Sequence, residues 1–207
     1  MKMLKKAAAV LLAAAMSLTM LTACGGGSGS GSGSSGAFEG SYTIKTSVVE
    51  RNGQPVTTES SYQTTNGTWS YLEDTDESGT NATLIGPDAV YYVNPTSKKA
   101  YKASDKETSG STPDTGAGYT IKTENGTWEY NNKTYTTQST IIESAEGKMI
   151  TTCCFDNGKF AYIKSEETAK GSTYTEIIRV NEYSKTADES KLDLNNYKLV
   201  ENPKDLF

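Results

Sequence analysis

Asp74, Asp76, Ser78 and Gly79 reproduce the opening of a calcium loop, in which acids alternate with other residues before a glycine. A calcium-binding helix–loop–helix closes with a bidentate glutamate at loop position twelve and needs a helix on each side. Position twelve here is Ile85, and no helical pattern flanks the loop. The acids therefore read as a hairpin tip kept in water. The adjacent pair Cys153-Cys154 is the second candidate, since two thiols can form a disulfide or hold a soft cation such as copper(I). In a regular strand neighbouring side chains point to opposite faces. That places Cys153 with Phe155 and Tyr162, and Cys154 with Ala161, which predicts two reduced, partly buried thiols. Histidine is absent from the chain, which removes histidine triads, ligands and general bases together. Carboxylates are plentiful, but nothing in their order singles out an acid–base pair. Ser-x-x-Lys, Gly-x-Ser-x-Gly and phosphate-binding glycine loops are missing too. The expectation is a protein that is not an enzyme, with no catalytic residue, cofactor or metal.

What remains is apolar and aromatic. Tyr42, Ile44, Tyr62, Trp69, Tyr71, Tyr92, Ile121, Trp128, Tyr130, Phe155, Phe160 and Tyr162 are the candidate lining of a cavity, since a curved sheet that does not close tightly can enclose one. The elements that carry them read as strands. Asn-Gly, the strongest short hairpin signal, occurs at 52–53, 66–67, 125–126 and 157–158. Counting outward from two-residue turns pairs Trp69 with Thr64 and Tyr71 with Tyr62. It also pairs Lys122 with Glu129 and Ile121 with Tyr130, then Phe155 with Phe160 and Asp156 with Lys159. Pro55 leaves the register at Asn52-Gly53 open. Alternation in FEGSYTIKTSVV puts Phe38, Tyr42, Ile44 and Val48 on one side and Lys45 on the other. Ala89 to Val93 is apolar on both faces and predicts a covered or central strand. Tyr174 to Val180 is a late strand, and only short turns are expected near 165–170 and 187–194. YTIKT and NGTW each occur twice, which reads as a small strand vocabulary rather than a duplication.

The N-terminus addresses the chain. Lys2, Lys5 and Lys6 precede an apolar run from Ala7 to Leu21, too short for a permanent span of about 20 residues but suited to a secretory signal. Leu21-Thr22-Ala23-Cys24 resembles the lipobox of bacterial lipoproteins. That resemblance implies cleavage after residue 23, acylation of Cys24, and a lipid anchor at the extracytoplasmic face of the cell membrane. Gly25 to Gly36 is all glycine and serine, a flexible tether spanning about 20 Å on average and about 40 Å when extended. The expected organisation is a signal over 1–23, a lipidated cysteine and tether over 24–36, and one β-rich domain over 37–207.

Cleavage would remove three lysines and no acid, taking the formal net charge from −5 to −8. Nucleic acid is excluded as a partner on that balance, because such affinity comes from neutralising phosphates. Asp105 to Gly118 reads as a mobile surface loop within the domain, and a monomer is expected. The segments DAVYYVNPTSKKAYKA (88–103) and DESKLDLNNYKLVE (188–201), in a lipobox-tethered β-rich chain, resemble the LolA/LolB/LppX superfamily. The resemblance covers most of 38–201 and implies a mainly β fold: a single antiparallel, strongly curved sheet forming an open half-barrel. The function it implies is non-catalytic binding of a hydrophobic or amphiphilic, lipid-like ligand. The alternative is a cell-surface interaction module with a filled β core, binding a partner protein or wall polysaccharide.

Overall fold

The structure is a computed structural model that describes residues 40–105, 120–145, 147–169 and 171–207. The expected signal, Cys24, the expected tether and most of the expected loop over 105–118 lie outside the described residues. Among the described residues the fold is mainly β, a single open sheet of thirteen strands. In chain order the strands are β1 (Tyr42–Arg51), β2 (Gln54–Pro55), β3 (Ser60–Thr65), β4 (Ser70–Asp76), β5 (Gly79–Ile85), β6 (Ala89–Asn94) and β7 (Lys99–Asp105). A second run follows with β8 (Thr120–Tyr130), β9 (Lys133–Ser144), β10 (Gly147–Asp156), β11 (Lys159–Ala169), β12 (Ser172–Ser184) and the short β13 (Lys198–Val200). The path across the sheet is β13-β7-β6-β5-β4-β3-β1-β12-β11-β10-β9-β8, with β2 paired to β1. β1 therefore joins two antiparallel meanders. The sheet is mixed rather than purely antiparallel, because β13 runs parallel to β7. That strand returns after a helical turn, α1 (Glu189–Leu192), and a 3-10 turn over Leu194–Asn196. The 165–169 segment is strand, not turn.

Asn157-Gly158 forms the expected turn. Both residues have positive φ, 48° and 79°, and Phe155 faces Phe160 as Asp156 faces Lys159. Asn52-Gly53 likewise turns at 50° and 75°, with Arg51 opposite Gln54 and Pro55 on the short β2. Asn66-Gly67 does not make a two-residue loop. Asn66 Oδ1 accepts from Thr68 and Trp69 N–H at 3.1 and 2.9 Å, so the loop runs over Asn66–Trp69. The pairing becomes Thr64 with Tyr71 and Tyr62 with Glu73. A slip of two residues keeps every side chain on its face, so Tyr62 and Tyr71 still meet, edge to face at 6.1 Å.

Asn125-Gly126 is no turn at all. It lies inside β8, and the chain reverses at Asn131-Asn132, with φ of 50° and 60°. Asparagine tolerates this left-handed region. Turning there extends β8 against β9 from Thr120–Glu143 to Tyr130–Lys133. The predicted Lys122–Glu129 and Ile121–Tyr130 pairs are replaced by Lys122–Ile141, Ile121–Ile142 and Trp128–Tyr135. The same tetrapeptide NGTW is thus a loop at 66–69 and a strand at 125–128.

Two cores result. One holds Tyr71, Leu84, Val93, Ala100, Leu192 and Tyr197, with Tyr62, Trp69 and Tyr91 packed against it. Gly86 belongs to this packing, since a Cβ there would sit 2.6 Å from the Trp69 ring. The other holds Tyr42, Ile44 and Cys153, with Phe155, Phe160, Ile163, Val180 and Tyr183.

Candidate binding face

Side chains directly opposite each other on neighbouring strands share a face. One face, here the inner face, carries Thr64, Tyr71, Leu84 and Tyr91 in one row and Lys45, Tyr62, Glu73 and Ala82 in the next. Residues 187–197 cover part of it. Asp188 caps α1 by accepting from Ser190 N–H at 3.1 Å, and its other oxygen accepts from the Tyr62 hydroxyl at 2.8 Å. Its own N–H donates to Thr64 Oγ1 at 2.8 Å. The Ser190 hydrogen bond, with help from Tyr62, holds the Asp188 carboxyl below the usual carboxylate range. Lys191 Nζ lies 3.3 Å from Glu73 Oε2 and 4.9 Å from the Tyr71 ring centroid. Leu192 and Tyr197 are buried beneath it. The chain itself thus covers the Tyr71 row of this half, while the row of Lys45, Tyr62 and Glu73 stays partly open.

Beyond β1 the same face continues through Arg179, Tyr162, Cys154 and Thr137. Here the rings of Trp128 and Tyr130 stack at 4.6 Å and 12°, and Tyr162 meets both edge-on at 5.9 and 5.5 Å. Tyr135, absent from the expected lining, completes the group 5.3 Å from Tyr162. Trp128, Tyr130 and Tyr162 remain half-buried. Charges surround them: Lys133 pairs with Asp156, and Lys164 with Glu166 at 3.0 Å. The Tyr130 hydroxyl lies 3.4 Å from Glu50 on β1.

The expected lining thus divides. Tyr62, Trp69, Tyr71, Trp128, Tyr130 and Tyr162 sit on or against the inner face. Tyr42, Ile44, Phe155 and Phe160 belong to the second core on the opposite face. Tyr92 and Ile121 share that opposite face by register and are 42% and 60% exposed. Of the twelve, Tyr62 alone borders the cleft of about 350 Å³ on the inner face. Its other lining, including Lys45, Ser60, Glu73, Thr75 and Asn181, was not singled out from sequence. The signal for it was the polar side of the β1 alternation, read together with the correct β3–β4 register.

A bulge alters the cysteine reading. The pairing slips between Cys154 and Phe155, so Cys154 faces Tyr162 and Cys153 faces Ile163. Cys154 is a free thiol, fully buried rather than partly so, and burial pushes its pKa up to about 12. Cys153 is 1% exposed in the opposite core. A vicinal disulfide is ruled out by the free Cys154.

At the acidic hairpin Asp76 Oδ1 accepts from Ser78 N–H at 2.7 Å, closing its own turn. Among the described residues no group of three or more His, Cys, Asp or Glu is placed to hold a metal ion. Asp74 lies on the face of Ser61 and Asn81, and burial, with the charges of Asp76 and Glu73, raises its pKa from 3.8 to about 6. A raised carboxyl makes the native state bind its proton more tightly than the unfolded chain does, so stability falls as pH rises between those values. Asp74→Asn is expected to stabilise the domain by about 1–2 kcal/mol at pH 7, with the gain vanishing below about pH 4. Urea unfolding at both pH values checks this, and equal midpoints at pH 7 would refute it.

No protein-family model matches the chain, and no curated protein matches it either. Among solved structures it is similar to an uncharacterized conserved protein from Thermus thermophilus, at 9% identity and a TM-score of 0.47, over 80% of this chain and 92% of that one. It is also similar to PNGF-II, at 11% identity and a TM-score of 0.43, over 80% of this chain and 32% of that one.

Proposed function

We propose that the chain is a non-catalytic lipoprotein, held at the extracytoplasmic face of the cell membrane by acylated Cys24, whose sheet is an interaction module for a wall polysaccharide or a partner protein. The chemistry of the inner face supports this reading. Residues 187–197 cover part of one half and leave a polar cleft over Lys45, Tyr62 and Glu73, and the other half interleaves half-buried rings with ion pairs such as Lys164–Glu166. An acyl chain laid there would strip water from charges without replacing their hydrogen bonds, which is costly. Rings beside charges and hydroxyls suit a polar partner that also has an apolar side.

A second reading, the LolA-like half-barrel with an amphiphilic ligand, is favoured by one contact. β8 and β1 are five strand spacings apart along the sheet, roughly 24 Å if it were flat. The approach of Tyr130 to Glu50 at 3.4 Å supports a strongly curved sheet with the inner face concave. Two measurements separate the readings. The mature lipoprotein is sedimented with purified wall sacculi, and its native mass is compared before and after denaturation. The module reading expects co-sedimentation and no released lipid. A stoichiometric lipid-like mass without co-sedimentation would overturn it in favour of the half-barrel carrier.

A further inference from the structure

We propose that the cleft over Lys45, Tyr62 and Glu73 is a saccharide-binding site. This rests on the module reading and narrows it to a ligand rich in hydroxyls. At about 350 Å³ the cleft lies at the small end of ligand sites. Its floor is two parallel rows on three adjacent strands: Lys45, Tyr62 and Glu73 in one, Ser60 and Thr75 in the other, with Ser47 at the end of that second row. Strand spacing and the two-residue repeat make that floor roughly 10 by 7 Å, a shallow bed for a sugar ring.

Several polar groups on this floor retain hydrogen-bonding capacity. Glu73 spends Oε2 on the Tyr71 hydroxyl and Lys191, so Oε1 has no partner among the described residues. Ser60 is exposed, and its hydroxyl makes no hydrogen bond among the described residues. Lys45 Nζ gives one bond to Glu182 and has three protons to give. Asn181 is the extra residue where β12 bulges against Lys45 and Thr46, a device that re-aims a side chain. Its amide N–H₂ donates to Ser47 Oγ at 2.7 Å, leaving its carbonyl oxygen for a ligand. Between them stands the Tyr62 ring, pinned through its hydroxyl by Asp188.

A carboxylate and an amide oxygen that accept, an ammonium and a hydroxyl that donate, and a fixed ring together match the alternating hydroxyls and C–H faces of a pyranose. An acyl tail would waste these groups. A phosphate would meet Glu73, Glu182 and Asp188 against Lys45 and Lys191, a balance that disfavours anions.

The test uses the mature lipoprotein in detergent micelles with two probes, protein-free wall sacculi and the β-1,4-linked N-acetylglucosamine tetramer. Ser60→Arg fills the cleft from an exposed position, and Lys45→Met removes a donor; thermal unfolding confirms that both variants fold. Wild type is expected to bind, with at least tenfold weaker binding in both variants and unchanged binding in Ile121→Ala, at an exposed position on the opposite face. If wild type binds and Ser60→Arg binds equally well, the cleft assignment falls and the module reading stands. If wild type binds neither probe, the saccharide proposal falls, and the module reading survives only through a protein partner.

Discussion

Tyr71→Ala is expected to lower the unfolding free energy by about 3–5 kcal/mol, the range for truncating a large buried aromatic side chain. Tyr71 is fully buried at the centre of the first core. Its ring takes the Tyr62 edge on one side and the Lys191 ammonium on another, and its hydroxyl donates to Glu73 at 2.5 Å. Burial and the Glu73 carboxylate push its phenol far above the ordinary range, so it stays a donor at any pH the domain survives. Truncation removes the surface on which residues 187–197 rest. Amide exchange in 188–197 should therefore accelerate more than exchange in β9–β11. Tyr71→Phe separates the hydrogen bond from the packing and should cost about 1.5–3 kcal/mol, because the acceptor is charged. A loss under about 1 kcal/mol for the alanine variant, well short of a buried-ring truncation, would mean that the segment is not seated on this ring.

Arg51→Met carries the second large effect. Arg51 reaches both oxygens of Glu59, at 2.7 and 2.5 Å, and Glu176 through two nitrogens, at 3.0 and 2.7 Å. It therefore ties the segment entering β3 to β12 across β1. Without it two carboxylates face each other in a half-buried setting, and about 2–3 kcal/mol should be lost at pH 7. The acid dependence gives the signature. The Arg51 hydrogen bond holds Glu59 below its ordinary 4.5. A depressed carboxyl contributes stability above the unfolded pKa and loses it as pH falls through the folded one. The gap between wild type and Arg51→Met should accordingly narrow below about pH 4. Unfolding curves at pH 7 and at about pH 3.5 that stay equally far apart would show that Arg51 acts through packing alone.

Local chemistry and long-range choice account for what could be read from sequence. Asn157-Gly158 was legible in full, because the turn and both flanking pairs depend on four neighbouring side chains. Tyr62 and Tyr71 were placed on one face despite a wrong partner, since strand alternation survives a slip of two. Asn125-Gly126 misled because a competing turn lay six residues on. Pairing all of β8 with β9, and gathering Trp128 with Tyr135 and Tyr162, outweighed the better local turn sequence. The strand–turn–strand of 88–103 was visible in its Asn-Pro turn, where Asn94 accepts from Thr96 and Ser97 N–H. The parallel return of β13 was not, since a three-residue strand has no alternation to detect. The cleft was hidden for a related reason. Lys45 and Glu73 are ordinary surface residues until a register sets them on either side of Tyr62, and Asn181 enters only through a bulge.

The position of β1 has a mechanical consequence. It is the strand nearest the Gly/Ser segment 25–36 in sequence, the proposed tether, and it is hydrogen-bonded on both sides, to β3 and to β12. A pull from the N-terminal side along its axis would load both ladders in shear, where many hydrogen bonds resist at once. Had the tether entered at an edge strand such as β8, the same tension could peel one rung at a time. On the proposed reading, a module that grips the wall while its anchor drifts with the membrane would be attached at the place where its sheet is hardest to tear.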